Sequence, residues 1–217
     1  MCASYGLGGD PYGRDVPLDI SPLDERGNPG RLAEWARENN HNARITGRTA
    51  RNLNPIITAS DGSRELHFGW WWLHVGGVPA PYSAFNSRDD RLLSNWRRPF
   101  QRRGLLPATW YVEKGRTFGL PGGELFAMAA ITATVADENG DDLVTYSMVT
   151  RDAVGEAGTV HPRMPLIVPR QLHDEWLDPA RPGDEDLIAR MVAESDDVSH
   201  AARIAAGPAG DPQIALF

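Results

Sequence analysis

Cys2 is the single cysteine of this 217-residue chain, and its position decides what it can do. Removal of Met1 would leave the thiol beside a free α-amine, making a 1,2-aminothiol. Such a pair captures an aldehyde in two stages: the amine forms an imine, and the thiol then closes on the same carbon to give a five-membered thiazolidine. No cofactor is needed. The reference pKa values, about 7.7–8.0 for the amine and about 8.5 for the thiol, leave both groups usable nucleophilic fractions near neutral pH. On position alone the plainer role, a small buried apolar residue, is the commoner one for a lone cysteine.

Four polar residues sit where a core argument would not put them. Asn86 and Arg88 lie in AFNSRDD, Glu113 ends LLPATWYVE, and His161 opens HPRMPLIV. An amide oxygen like that of Asn86 could fix an amine, a carboxylate like Glu113 could take up its proton, and an imidazole titrating near neutral pH could exchange protons with a sugar hydroxyl or imine carbon. The Arg88 fork suits a phosphate. Each also has an ordinary role: Asn86 as a turn residue, Glu113 as a solvated strand end, His161 at a strand edge, and Arg88 in an ion pair with Asp89, Asp90 or Glu113.

Lys and Arg number 22 against 29 Asp and Glu, a formal net charge of −7, which argues against indiscriminate binding to nucleic acid. The distribution is uneven. Arg88, Arg91, Arg97, Arg98, Arg102, Arg103, Lys114 and Arg116 form a basic stretch, whereas 174–197 is dominated by Asp and Glu. One cysteine rules out an internal disulfide and any zinc site built from several thiolates, which points to a reducing compartment. With no apolar run long enough for a membrane span and no basic and apolar leader, the expectation is a cytoplasmic monomer without metal or cofactor.

The elements that must carry these residues are mostly strands. Runs at 55–58, 65–73, 105–112, 125–135, 143–150 and 165–168 are β-branched or aromatic and bounded by turn residues. Asn139-Gly140 marks a hairpin between two of them. Helices are expected at 31–39, 169–177 and 184–195, loops at 8–30 and 76–81, and a loosely attached tail from Ala201. The fold class is therefore α+β and strand-dominated, with a curved, mostly antiparallel β core or open barrel and peripheral helices. The expected division is a catalytic domain over 1–180 and a C-terminal helix and tail over 181–217.

In this order along the chain, the segments resemble the SRAP family, the SOS-response-associated peptidase-like proteins that protect abasic sites in single-stranded DNA. Met-Cys is followed by an aromatic-Gly step at Phe68-Gly69-Trp70. Asn86-Ser87-Arg88-Asp89-Asp90 is similar to the family's Asn-Ala-Arg-x-Glu, and the stretch from Pro107 to Glu113 to its Pro-Ala-Asp-Gly-Phe-Tyr-Glu strand. His161-Pro162-Arg163-Met164-Pro165 matches its His-x-Arg-Met-Pro motif, the most specific piece. Ala3-Ser4 replaces the usual Gly-Arg, Asp90 a glutamate, Thr109 an aspartate and Lys114 a tryptophan, and the stretch from Gly69 to Asn86 is longer than usual.

The resemblance implies a covalent thiazolidine between Cys2 and the ring-opened abasic deoxyribose, with Asn86, Glu113 and His161 as catalytic partners. Arg88, Arg163, Trp71 and Trp72 are then the expected DNA or phosphate contacts. Trp70 and Tyr82 are further rings on which bases could stack, although alternate tryptophans of a strand must face the core. Two rivals stand beside this: an N-terminal-nucleophile thiol hydrolase, including self-removal of Met1, and a binding relative without the chemistry.

Overall fold

A computed structural model describes residues 2–9 and 15–205. Five strands close into a barrel: Leu53–Ser60, Ser63–Trp70, Arg103–Ala108, Phe126–Ala136 and Asp142–Asp152. The neighbours are antiparallel except at one seam, where Thr145 of the last strand runs parallel to Trp70. The expected curved core is thus a closed barrel, which leaves no free edge within its ring. Its wall is apolar on both faces, with the strand neighbours Ile56 and Ile57, and Leu105 and Leu106, buried together with Met128 and Tyr146. The hairpin between its two longest strands turns at Asn139-Gly140. There the Asp137 carboxylate accepts the N–H groups of Asn139 and Asp141, and Gly140 takes a φ of 86°.

Short strands extend the barrel wall. Asn86–Arg88 runs parallel to Asp142–Asp152, with Asn86 opposite Met148. The expected strand at 165–168 is two pieces: Arg163–Pro165 pairs with Asp142–Asp152, and Ile167–Val168 pairs with Phe126–Ala136. Leu166 bridges them, its N–H bonded to Val149 O and its carbonyl to the Ala129 N–H.

The second sheet is antiparallel, with strand order Arg203–Ile204, Arg116–Gly119, Trp110–Glu113, Ser4–Gly6, Asn42–Arg44. The expected continuous strand at 105–112 is broken at Thr109, so its first half belongs to the barrel and its second to this sheet. Thr109 ties the crossing to the N-terminal strand: its N–H and hydroxyl both reach Gly6 O, and its hydroxyl accepts the Gly8 N–H. Gly6 is required here. A Cβ would lie 2.1 Å from the Trp110 indole, whose Nε1 donates to Gly8 O. Gly6→Ala is therefore expected to cost about 2–3 kcal/mol of stability, read as a lowered melting temperature; an unchanged melting temperature would mean that the indole can move aside.

The first helix, Asn28–Asn39, starts three residues before the expected 31, with Pro29 in its first turn, where the missing N–H costs nothing. Leu32, Trp35 and Ala36 face the core. Glu185–Glu194 is capped by Asp184, whose carboxylate accepts the Leu187 N–H. The segment from Ala201, expected to be loose, is bonded as far as Ala205: Arg203–Ile204 adds an edge to the second sheet, and the Ala205 N–H donates to Thr117 O. The remainder of that expected tail, 206–217, lies outside the described residues. The expected loop at 76–81 starts as a tight hairpin, His74–Val75 with Val78–Pro79, turning on Gly76 and Gly77 at φ 65° and 85°. Two positive φ values in succession demand such glycines. Among the described residues no helix is long and apolar enough to cross a membrane.

Candidate functional site

The second sheet sets Cys2 beside Glu113. Ser4 opposes Val112 and Tyr5 opposes Tyr111, so the residues before Ser4 run alongside the end of Trp110–Glu113. The Cys2 thiol is buried, 1% exposed, and donates to Ser4 O at 3.3 Å. Its pKa is pushed up to about 12, first by burial and then by the Glu113 carboxylate, against opposing backbone bonds from Ser4 and Val112. At rest the sulfur is therefore a neutral thiol.

Asn86 approaches from the barrel. Its Nδ2 donates to Cys2 O at 2.7 Å, while its Oδ1 is buried without a hydrogen-bond partner among the described residues. The short strand that carries it is pinned to the barrel by the Ser87–Ser147 hydroxyl pair at 2.7 Å and by Thr150 Oγ1 on Ser87 O. Burying an acceptor without a donor costs about 1–3 kcal/mol, so an amide aimed this way points to a group that completes the site.

His161 arrives from the turn before Arg163–Pro165. Its Nδ1 stands 3.9 Å from Glu113 Oε1, 3.0 Å from Arg163 O and 3.1 Å from the Arg163 N–H. Glu113 and His161 are both largely enclosed, with 4% and 16% of their side chains exposed. Thus Cys2, Asn86, Glu113 and His161, drawn from 160 positions of sequence, form one neighbourhood.

Tyr111 joins them, a residue that the sequence reading did not single out. Two positions before Glu113 on one strand, it shares that residue's face of the sheet. Its ring stacks on Phe118 at 5.2 Å, and its hydroxyl is buried without a partner among the described residues. Burial, then Cys2 and then Glu113 raise its pKa. The signal was available in the i, i+2 spacing.

The expected DNA contacts fare differently. Arg88 is exposed and forks onto Asp90, with Nε and Nη2 each on one carboxylate oxygen at 2.8 and 2.7 Å. That is the surface ion pair weighed for it. Arg163 is held by the protein itself: it is 8% exposed and bonded to Asp152 at 2.6 Å, Asp89 at 2.5 Å and Thr150 O. It clamps three segments around His161. Trp71 and Trp72 are also unavailable to bases. Trp71 is 1% exposed, lies between Tyr5 and Tyr146 and donates to Phe85 O; Trp72 donates to Ala80 O beneath the hairpin. Trp71 and Trp72 turn into the core because the chain leaves the sheet at Trp70, which is itself half-buried.

Among the described residues the exposed ring is Tyr82, 51% exposed and packed on Trp96 at 5.8 Å. Both belong to a cleft of about 550 Å³ whose wall also includes Ser83, Asn86, Arg88, Arg91 and Asn95. Asn86 is the shared partition, with Cys2 bonded to it and the cleft open to solvent beside it. Within the basic stretch, Arg103 drops out: it is buried, donates to the carbonyls of Phe100, Trp176, Asp178 and Arg181, and has its pKa lowered to about 10 by burial.

A closed barrel with an N-terminal strand that delivers a cysteine to a carboxylate, an imidazole and an amide defines a class of thiol-bearing protein. The chain belongs to the SOS response associated peptidase (SRAP) family, whose model matches residues 29–205. That membership ties it to the response to DNA damage. The match begins after the N-terminal strand, so Cys2 joins the site through the geometry alone. Among solved structures, a Bacteroides thetaiotaomicron protein is similar at 21% identity over 88% of this chain and 86% of its own, with a TM-score of 0.60. A Bordetella bronchiseptica protein (16% identity, 84% and 90% covered, TM-score 0.56) and a phage-related protein of the same organism (18%, 93% and 92%, 0.56) share the fold. No curated protein matches.

Proposed function

We infer that the protein captures abasic sites in single-stranded DNA by forming a thiazolidine between Cys2, exposed as the N-terminus by removal of Met1, and the ring-opened deoxyribose. The freed amine attacks the C1′ aldehyde to give a carbinolamine, which loses water to form an imine. The thiol then adds its sulfur to the imine carbon and its proton to the nitrogen. One water is released in all, and nothing is oxidised or reduced.

The observation that carries this reading is the Asn86 amide, which holds Cys2 O with one end and leaves a buried acceptor at the other. An α-ammonium at Cys2 is the nearest new donor that chain cleavage would create. Glu113 takes the proton that makes the amine nucleophilic, and His161, 3.9 Å from that carboxylate, returns a proton to the departing hydroxyl. A neutral, buried thiol suits a sequence in which the amine leads and the sulfur closes. It suits a thiol hydrolase less, because there the thiolate must attack first.

The test is incubation with an abasic single-stranded oligonucleotide followed by a denaturing gel. A covalent shift supports the reading. Turnover of an unrelated peptide without any shift would favour the hydrolase, and neither result would leave a binding relative.

Arg88 lines the entrance cleft, and release from Asp90 frees its fork for a phosphate. Arg88→Ala is expected to weaken binding to abasic and intact strands alike, and to lower the slope of log Kd against log salt by about 0.7. Loss confined to abasic strands in a binding titration would remove Arg88 from the phosphate contact.

A further inference from the structure

The hairpin of His74–Val75 and Val78–Pro79 stands over a groove of about 460 Å³ that is separate from the Asn86 cleft. One wall is the hairpin, the other carries Arg98, Gln101 and Arg102, and the floor is the barrel strand at 132–135. Among the described residues no carboxylate lines it, although the chain as a whole carries a net charge of −7. Arg98 and Arg102 are exposed, and neither has an ion-pair partner among the described residues. Arg88, Arg163 and Arg181, by contrast, are each held by carboxylates. At the rim, Val75 and Val78 are 42% and 59% exposed. Aliphatic side chains facing solvent at a hairpin tip, beside two uncommitted guanidiniums, fit a ligand that is anionic along its backbone and apolar on its faces.

We propose that this groove is a second contact for single-stranded nucleic acid, taking the strand that leaves the Asn86 cleft: Arg98 and Arg102 hold its phosphates, and Val75 and Val78 pack against its bases. The route is continuous along one segment. Asn95 and Trp96 line the cleft, and Arg98 follows two residues later in the groove wall. Tyr82, exposed and packed on Trp96, belongs to the cleft end of that route. The inference rests on single-stranded DNA as the ligand, but not on the covalent chemistry at Cys2.

The experiment measures binding of the full chain to undamaged oligothymidine strands of about 6 and about 20 nucleotides, the first near the short end of the usual single-strand site sizes of about 4–16 nucleotides and the second beyond the long end. The variants are Arg98→Ala with Arg102→Ala, and separately Val75→Ser with Val78→Ser, both checked for an unchanged melting temperature. The long strand should bind wild type more tightly than the short one. The arginine pair should weaken only the long strand, on the order of tenfold, and reduce its salt slope by about 1.4. The valine pair should weaken the long strand several-fold while leaving its salt slope in place.

Equal weakening of both lengths, or of neither, overturns the proposal. So does a valine pair whose one effect is loss of a dimer in sedimentation, which would assign the tip to a second copy of the chain. A wild type that binds neither strand overturns the groove together with the DNA reading. If the length-dependent loss is seen but abasic strands give no covalent adduct, the groove stands and the Cys2 chemistry falls.

Discussion

Replacing Cys2 with Ala is expected to abolish the covalent adduct with abasic DNA while leaving non-covalent affinity for the same strand within about twofold. The thiol lies behind Asn86, away from the exposed arginines of the cleft, so its loss removes no phosphate contact. Cys2→Ser separates the two stages. The terminal amine remains and still forms an imine, which borohydride reduces to a stable secondary amine, but the hydroxyl gives no lasting ring. Gels with and without borohydride therefore distinguish the amine's step from the sulfur's. An adduct that survives in Cys2→Ala without reductant would move the chemistry to another amine.

Glu113→Gln carries the second large effect, and in two opposed directions. Loss of the carboxylate removes the proton acceptor for the amine, so adduct formation should slow by about 10²–10³-fold. The same carboxylate helps to hold the Cys2 thiol at a pKa of about 12, second only to burial. With the charge gone the thiol pKa falls, and alkylation of Cys2 by iodoacetamide between pH 8 and 10 should speed up. Wild type should alkylate slowly over this range, because a thiol at about 12 is ionised only to about one part in 10⁴ at pH 8. A variant that slows both reactions would indicate a distorted site rather than a lost proton acceptor.

Much of the fold was legible because its signals are local. The Asn139-Gly140 turn, the long apolar runs on either side of it and the helical run at 184–195 each specify an element without help from distant residues. Barrel closure was not legible, since it depends on one parallel seam between Thr145 and Trp70 that no periodicity encodes. The break at Thr109 was hidden for a related reason: the residues from Leu105 to Val112 read as one buried strand, and only the pairing of Gly6 with Trp110 shows where the chain changes sheets. That crossing brings Glu113 to Cys2.

In the site, residue type and order drew out Cys2, Asn86, Glu113 and His161, and the fold gathers all four. Trp71, Trp72 and Arg163 misled because chemistry and packing ask for the same side chains. An indole serves a base stack or a core equally well, and a guanidinium fork grips phosphate or a pair of carboxylates. Burial separates these roles, and burial is a property of the closed barrel. Tyr111 was overlooked within a motif already quoted, since its hydroxyl matters only once Cys2 and Glu113 are known to flank it.

The central claim is a shared pocket in which the leading amine and the one sulfur of the chain act on the same carbon. Tandem mass spectrometry of the DNA adduct after digestion of both partners tests it most directly. The account predicts a peptide that begins at Cys2, lacks Met1 and carries the opened sugar through both its nitrogen and its sulfur, at the summed mass of the two parts less one water. An adduct on a peptide that retains Met1, or one mapped to a lysine, would contradict it.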